Sequence, residues 1–369
     1  MSAVLIGLHL ERLGLSAGGI GLILTIALLS AAVTGLAAAN LSSRIGRRYT
    51  LALAGILMAV TGADLAVASS PVLIGIAAIT GMLGTASIDL GAYASVEQAS
   101  LAESAEPRRR NLAFARYSLT GGLATAAGAA LAATATDLPR GRLLFGGYAL
   151  VGAVTATLAL LLSARAEGPV SSASLSAAQV RVLAPLSALF AVDAVGGGLV
   201  ANAVIAYWLH VRFGASAAAL GSTFTAIALL QSASYEVSGR LANRIGLIRT
   251  MVFTHVPSNV LLALVPLSPT LPWAIAILFA RFSLSQMDVP ARQAYVVSIV
   301  QPAERAGAVA FTGLVRGLAQ AAGPLISGAA IQGAVLGLPF YLAGGLKLAY
   351  DGTLYLAFRN RRGEHETVG

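Results

Sequence analysis

Apolar residues run in long blocks along this chain, separated by short polar loops that carry arginine. A helix crossing the hydrocarbon core of a bilayer needs about 20 mostly apolar residues. Eleven blocks qualify, at roughly 18–40, 50–68, 72–95, 112–134, 143–163, 184–209, 217–239, 249–268, 271–289, 307–332 and 338–358. A further block, 1–10, is too short to cross. Counting it as span 1, the blocks become spans 1 to 12. Glycine and proline are frequent inside them, which membrane helices tolerate better than soluble ones. Only the connection 164–183 is longer, and it is rich in Ser and Ala (EGPVSSASLSAAQ). The pattern therefore predicts an all-α membrane protein. Its first helical half is 1–163, its linker 164–183, its second half 184–358 and its tail 359–369.

The polar loops repeat. LSSRIGRRYTL at 41–51 returns as LANRIGLIRTM at 241–251, and RLGLSAGGIG at 12–21 returns as RFGASAAALG at 212–221, both 200 residues later. PRRRNLAFARYSLTGGLATAAG at 107–128 returns as PAERAGAVAFTGLVRGLAQAAG at 302–323, at an offset of 195. Shared Pro, Arg and Gly positions exceed what Ala/Gly-rich composition alone would produce. A six-span unit has both ends on one side, so its duplicate inserts the same way up, as a parallel repeat. With the 41–48 loop in the cytoplasm, sixteen arginines fall on the cytoplasmic side and four outside (Arg12, Arg140, Arg142, Arg212). That is a strong positive-inside bias, and it puts the C-terminus in the cytoplasm.

Composition agrees. Hydrophobic residues make up 57% of the chain and charged residues 11%, against roughly 25% charged in soluble domains. The net charge of +9 lies in short runs between apolar blocks, so a lipid bilayer is the expected partner and nucleic acid is not. No cysteine is present, which excludes disulfides, thiolate metal sites and cysteine nucleophiles. Arginine outnumbers lysine 23 to 1, which we read as base composition. There is no G-x-x-x-x-G-K-[ST], G-x-S-x-G or H-E-x-x-H. ATP-driven transport by this chain alone, enzyme activity, cofactors and metals are therefore not expected.

Two six-span halves, a linker and a basic loop after spans 2 and 8 resemble the major facilitator superfamily. That family writes the loop G-x-L-a-D-r-x-G-r-k. Here it stands as Ala39-Asn40-Leu41-Ser42-Ser43-Arg44-Ile45-Gly46-Arg47-Arg48, and again as Gly239-Arg240-Leu241-Ala242-Asn243-Arg244-Ile245-Gly246. The family's aspartate is replaced by Ser43 and Asn243. The stretches FARYSLTGGLA, MVFTHVPSN and SQMDVPARQAY are similar to a bacterial branch. The resemblance implies a cytoplasmic-membrane transporter in which spans 1, 4, 7 and 10 line a central cavity and 3, 6, 9 and 12 lie outside. It also implies that the loop latches a cytoplasmic gate built on Arg44, Gly46, Arg47, Arg48, Arg244 and Gly246.

A buried charge costs from about 2.5 kcal/mol upward, so each one needs a cavity or a partner. Asp193, before Gly196-Gly197-Gly198 in span 7, is the candidate coupling carboxylate. Arg281, Ser285, Asp288 and Arg292 share one face of span 10. Arg281 is the deepest and the best anionic or hydrogen-bonding contact to a substrate, whereas Asp288 and Arg292 are expected in a gate network with Arg244. Asp89 and Glu97, in and after span 4, are expected to pair with Arg44, Arg47 and Arg48 and to replace the missing aspartate. Arg316 in span 11 faces Asp193 or the cavity. Lys347 and Asp351 in span 12 are four apart and expected to pair with each other; they and Asp64 are read as structural. The histidines form no ligand spacing and are assigned nothing. The expected function is proton-coupled efflux of a small organic solute by alternating access, with facilitated uptake or a non-transporting scaffold as alternatives. No oligomer is required. Met1 aligns with Ala201 at the offset of 200, so span 1 is expected to be truncated, with the native start upstream or the chain a fragment.

Overall fold

In the computed structural model, residues 2–68, 70–83, 91–106, 109–135, 137–162, 167, 177–301 and 304–358 are described, and no strand occurs among them. The first half comprises α1 (Ser2–Arg12), α2 (Ala17–Ile45), α3 (Arg47–Val67), α4 (Pro71–Ile79), α5 (Ala92–Ser104), α6 (Arg110–Ala132) and α7 (Leu138–Leu160). The second comprises α8 (Ala177–Leu199), α9 (Asn202–Phe213), α10 (Ala217–Ile245), α11 (Leu247–Leu264), α12 (Leu271–Phe282), α13 (Asp288–Ser298), α14 (Arg305–Gln332) and α15 (Leu338–Phe358), with a 3-10 turn at Val265–Leu267 after α11. Among the described residues, seven helical stretches are long and apolar enough to cross a membrane. On α7, Leu143, Leu150 and Leu158 are 75%, 67% and 59% exposed; a surface this apolar suits lipid rather than water.

Spans 4, 7 and 10 are each made of two helices: α4 with α5, α8 with α9, and α12 with α13. Residues 84–90 of span 4 lie outside the described residues, and Asp89 with them. Span 10 unwinds over 283–287 and then continues to Ser298, beyond the 289 expected from hydropathy. Pro290 sits in the first turn of α13, where a missing N–H costs little, so the polar run DVPARQAYVVS is helical. Span 7 starts at Ala177, inside the segment read as linker.

The sequence repeat is a repeat of helix ends. α2 and α10 are both 29 residues long, with bounds 200 apart. Ser16 and Ser216 cap them, accepting the amides of Gly19 and Ala219 at 3.2 Å. Both end at a glycine with positive φ, Gly46 at 90° and Gly246 at 92°, a conformation open to glycine and costly for other residues. The next helix starts at once, and Thr50 and Thr250 each donate to the glycine carbonyl at 2.8 Å.

The halves pack by exchange. α2 lies against α14 of the other half, and α10 against α6. A Cβ on Gly21 would come 2.5 Å from the Pro324 carbonyl, and one on Gly221 would come 2.5 Å from the Ala133 backbone. Small residues let backbones approach where lipid supplies no hydrophobic drive, which explains why both copies keep this glycine. At the end away from the basic loops, α1 packs on α9. At the basic end, α5 packs on α14 and α6 on α13. The two halves thus meet at both ends.

Candidate functional site

Asp193 sits on α8 at 4% exposure, and its carboxylate points at the outer helices α15 and α11 of its own half. Lys347 of α15, the only lysine in the chain, donates to Asp193 Oδ1 at 2.6 Å. The expected Lys347–Asp351 pair does not form. One turn separates the two residues, and each is claimed by a different helix. Asp351 is fully buried; it accepts from Asn259 Nδ2 at 2.9 Å and lies 2.8 Å from His255 Nδ1, which Asn259 Nδ2 also approaches at 3.1 Å, both residues being on α11. His255 Nε2 lies 3.7 Å from Asp193 Oδ1. Asp193, Lys347, His255, Asp351 and Asn259 therefore form one polar cluster across α8, α11 and α15.

The glycine run after Asp193 makes room for this cluster. A Cβ on Gly196 would come 3.0 Å from Lys347 Cγ, and one on Gly198 would overlap the Gln320 carbonyl of α14. Gly196 and Gly198 thus allow close helix approach. Arg292 and Arg316 lie within electrostatic range of Asp193.

Arg281 ends α12, above the break in span 10. It is 5% exposed, stacked on Phe282 at 4.4 Å, and its Nε and Nη1 have no hydrogen-bond partner. Ser285 Oγ, four residues on, is likewise buried without a partner. Asp288 does not join a network with Arg244, which is exposed at the end of α10. It accepts from Arg292 at 2.8 Å within α13. A small cavity of about 30 Å³ lies between the halves, bounded by Gln98 of α5, Phe190 of α8, Arg292 and Gln293 of α13, and Thr312 and Arg316 of α14.

At the basic end Arg47 and Arg48 meet acids other than Glu97, while Asp89 lies outside the described residues. Arg47 pairs with Glu103 at 2.6 Å. The Glu167 carboxylate accepts the backbone amides of Arg47 and Arg48 at 2.6 and 3.3 Å. A carboxylate there caps the start of α3 and suits the helix dipole. Glu97 instead accepts the Tyr117 hydroxyl at 2.7 Å. Arg44 is exposed. At the opposite end, His210 Nε2 of α9 lies 3.3 Å from Glu11 of α1, beside a cavity of about 480 Å³.

Sequence reading gave Lys347 a structural pairing with Asp351, assigned nothing to His255 and His210, and did not single out Asn259, Glu103 or Glu167. One signal was available: a single lysine among 24 basic residues is a position where arginine was not used. The histidines carried no such signal, because their partners lie up to 199 residues away in the chain.

The sequence profile described as Major Facilitator Superfamily matches the chain twice, over residues 1–195 and 186–368. An uncharacterized membrane protein of Saccharomyces cerevisiae is 24% identical over 389 residues, covering 93% of this chain and 87% of its own. Among solved structures, the human organic anion transporter MFSD10 (TETRAN) superposes with a TM-score of 0.70 at 18% identity, covering 90% of this chain and 83% of its own. The proton:xylose symporter XylE bound to 6-bromo-6-deoxy-D-glucose superposes with a TM-score of 0.74 at 15% identity, covering 100% of this chain and 95% of its own. Two matched halves, packed by exchange around broken helices, make this chain a member of the Major Facilitator Superfamily.

Proposed function

We propose that this member of the superfamily is a proton-coupled secondary transporter that exports a small organic solute by alternating access, with Asp193 as the proton-exchanging carboxylate. The observation that carries this reading is the Asp193–Lys347 pair: the only lysine of the chain is held at 2.6 Å from a buried carboxylate. Lysine can release its proton when its environment changes, whereas arginine does not. Asp193 can therefore exchange Lys347 for a proton as the halves move. His255, between Asp193 and Asp351, offers a path by which the charge is shared.

We place the basic end in the cytoplasm on the arginine bias. Export is the direction we assign, because the repeated basic loop resembles that of exporters. Arg281 and Arg316 are assigned to the solute. Arg47, Glu103 and Glu167 hold the basic loop, Asp288 and Arg292 belong to the cytoplasmic gate, and Arg44, Arg48, Arg244 and Gly246 serve the loop itself. The test is proton release. Purified protein in weakly buffered detergent is titrated with a panel of small organic solutes and read with a pH dye. A solute that is exchanged for a proton releases one from the parent and none from Asp193→Asn. If a solute releases protons equally from both, Asp193 is not the exchanging group.

A further inference from the structure

Arg281 stands apart from the other buried charges. Lys347 has Asp193, Arg292 has Asp288, and Asp351 has His255 and Asn259. Arg281 is 5% exposed, yet two of its guanidinium nitrogens have no hydrogen-bond partner and its named contact is the Phe282 ring. Asp193 is within electrostatic range, but its Oδ1 is engaged by Lys347. A buried guanidinium with unused donors is costly, and replacing such a charge by an apolar residue often stabilises a protein. A second buried side chain on the same span shares the condition: Ser285 Oγ, four residues on. Unused donors on a guanidinium and a hydroxyl are complementary to an oxyanion, which takes a guanidinium in a fork.

We propose that Arg281, with Ser285 four residues on, seats an oxyanion, so that the solute is a small organic anion such as a carboxylate or sulfonate. This rests on reading span 10 as part of the solute path. Two features fit the seat to this task. It lies at the break in span 10 over 283–287, between α12 and α13. Phe282 covers one face of the guanidinium, leaving its edge for the anion.

The test uses the full chain in lipid nanodiscs, with no gradient, and two probe pairs matched in shape: benzenesulfonate with benzenesulfonamide, and succinate with succinamide. In the parent, at least one anion is expected to bind about tenfold more tightly than its neutral amide, a difference of about 1.4 kcal/mol. Arg281→Met should lose that preference and, without ligand, unfold at a temperature no lower than the parent, which a purely structural arginine would not allow. If Arg281→Met does not fold, Ser285→Asp carries the test: a carboxylate in the seat should abolish the preference. Arg109→Gln, at the exposed basic end, should keep it. The proposal is overturned if neither anion outbinds its amide, or if the preference survives in Arg281→Met or Ser285→Asp. Asp193→Asn should retain the preference, so a failure of proton coupling is separable from a failure of the anion seat.

Discussion

At the scale of single residues, the account turns on which partner each buried charge finds. Lys347 and Asp351 are one turn apart on α15, yet Lys347 reaches α8 and Asp351 reaches α11. Helical spacing says which residues can meet on one helix; it says nothing of a competing partner on a neighbouring helix. Lys347→Gln leaves the Asp193 carboxylate buried with His255 at 3.7 Å, and it should destabilise the protein by about 3–5 kcal/mol. Adding Asp193→Asn should recover most of that loss, because the second change removes the stranded charge. Thermal unfolding of the parent, both single variants and the double variant in detergent gives the cycle. A Lys347→Gln variant as stable as the parent would remove the pair from the account.

At the scale of elements, the repeated loop shows what the chain made legible. RIGRRYT and RIGLIRT mark a helix end, a glycine with φ near 90° and a new helix that starts at once, and the structure has both copies with these features. Spans 2, 3, 5, 6, 8, 9, 11 and 12 were readable from their apolar blocks to within a few residues. The broken spans were not, because a window of hydropathy cannot register a turn of a few residues at 283–287 or at Val200 and Ala201. The polar cluster was legible only as a set of costly charges, since the pairing across α8, α11 and α15 depends on packing. The basic loop was legible, but Glu103 at the end of α5 and Glu167 in the Ser/Ala-rich linker, which meet it in the structure, were not. The glycines allow a sharp comparison. Alanine at Gly246 is strained by its φ and should cost about 1–3 kcal/mol. Gly46→Ala should cost more, because its Cβ would come 2.5 Å from Glu167 Oε2 and displace the cap on α3. In a Glu167→Ala background the two glycine changes should cost the same. Equal costs in the parent, measured by unfolding, would count against a capping role for Glu167.

At the scale of the whole molecule, the two halves meet at both ends, so transport requires each end to open in turn. At the end away from the basic loops, His210 bridges to Glu11 across the halves. Its Nδ1 lies 2.8 Å from the Ala215 carbonyl. The chain has no cysteine, so Glu11→Cys with His210→Cys gives one reactive pair. Linking the two with a short thiol-specific cross-linker should stop transport, and either single variant should be insensitive; a linked protein that still transports would mean this end need not open.

The most direct test of proton coupling at Asp193 is accumulation driven by a proton gradient alone. Parent and Asp193→Asn protein are reconstituted in liposomes with benzenesulfonate at equal concentration on both sides, and a pH step is imposed with the membrane potential clamped. The parent should concentrate the sulfonate on the side from which protons leave, and Asp193→Asn should leave it at equal concentration. Accumulation by Asp193→Asn to the parent's level would contradict the central claim.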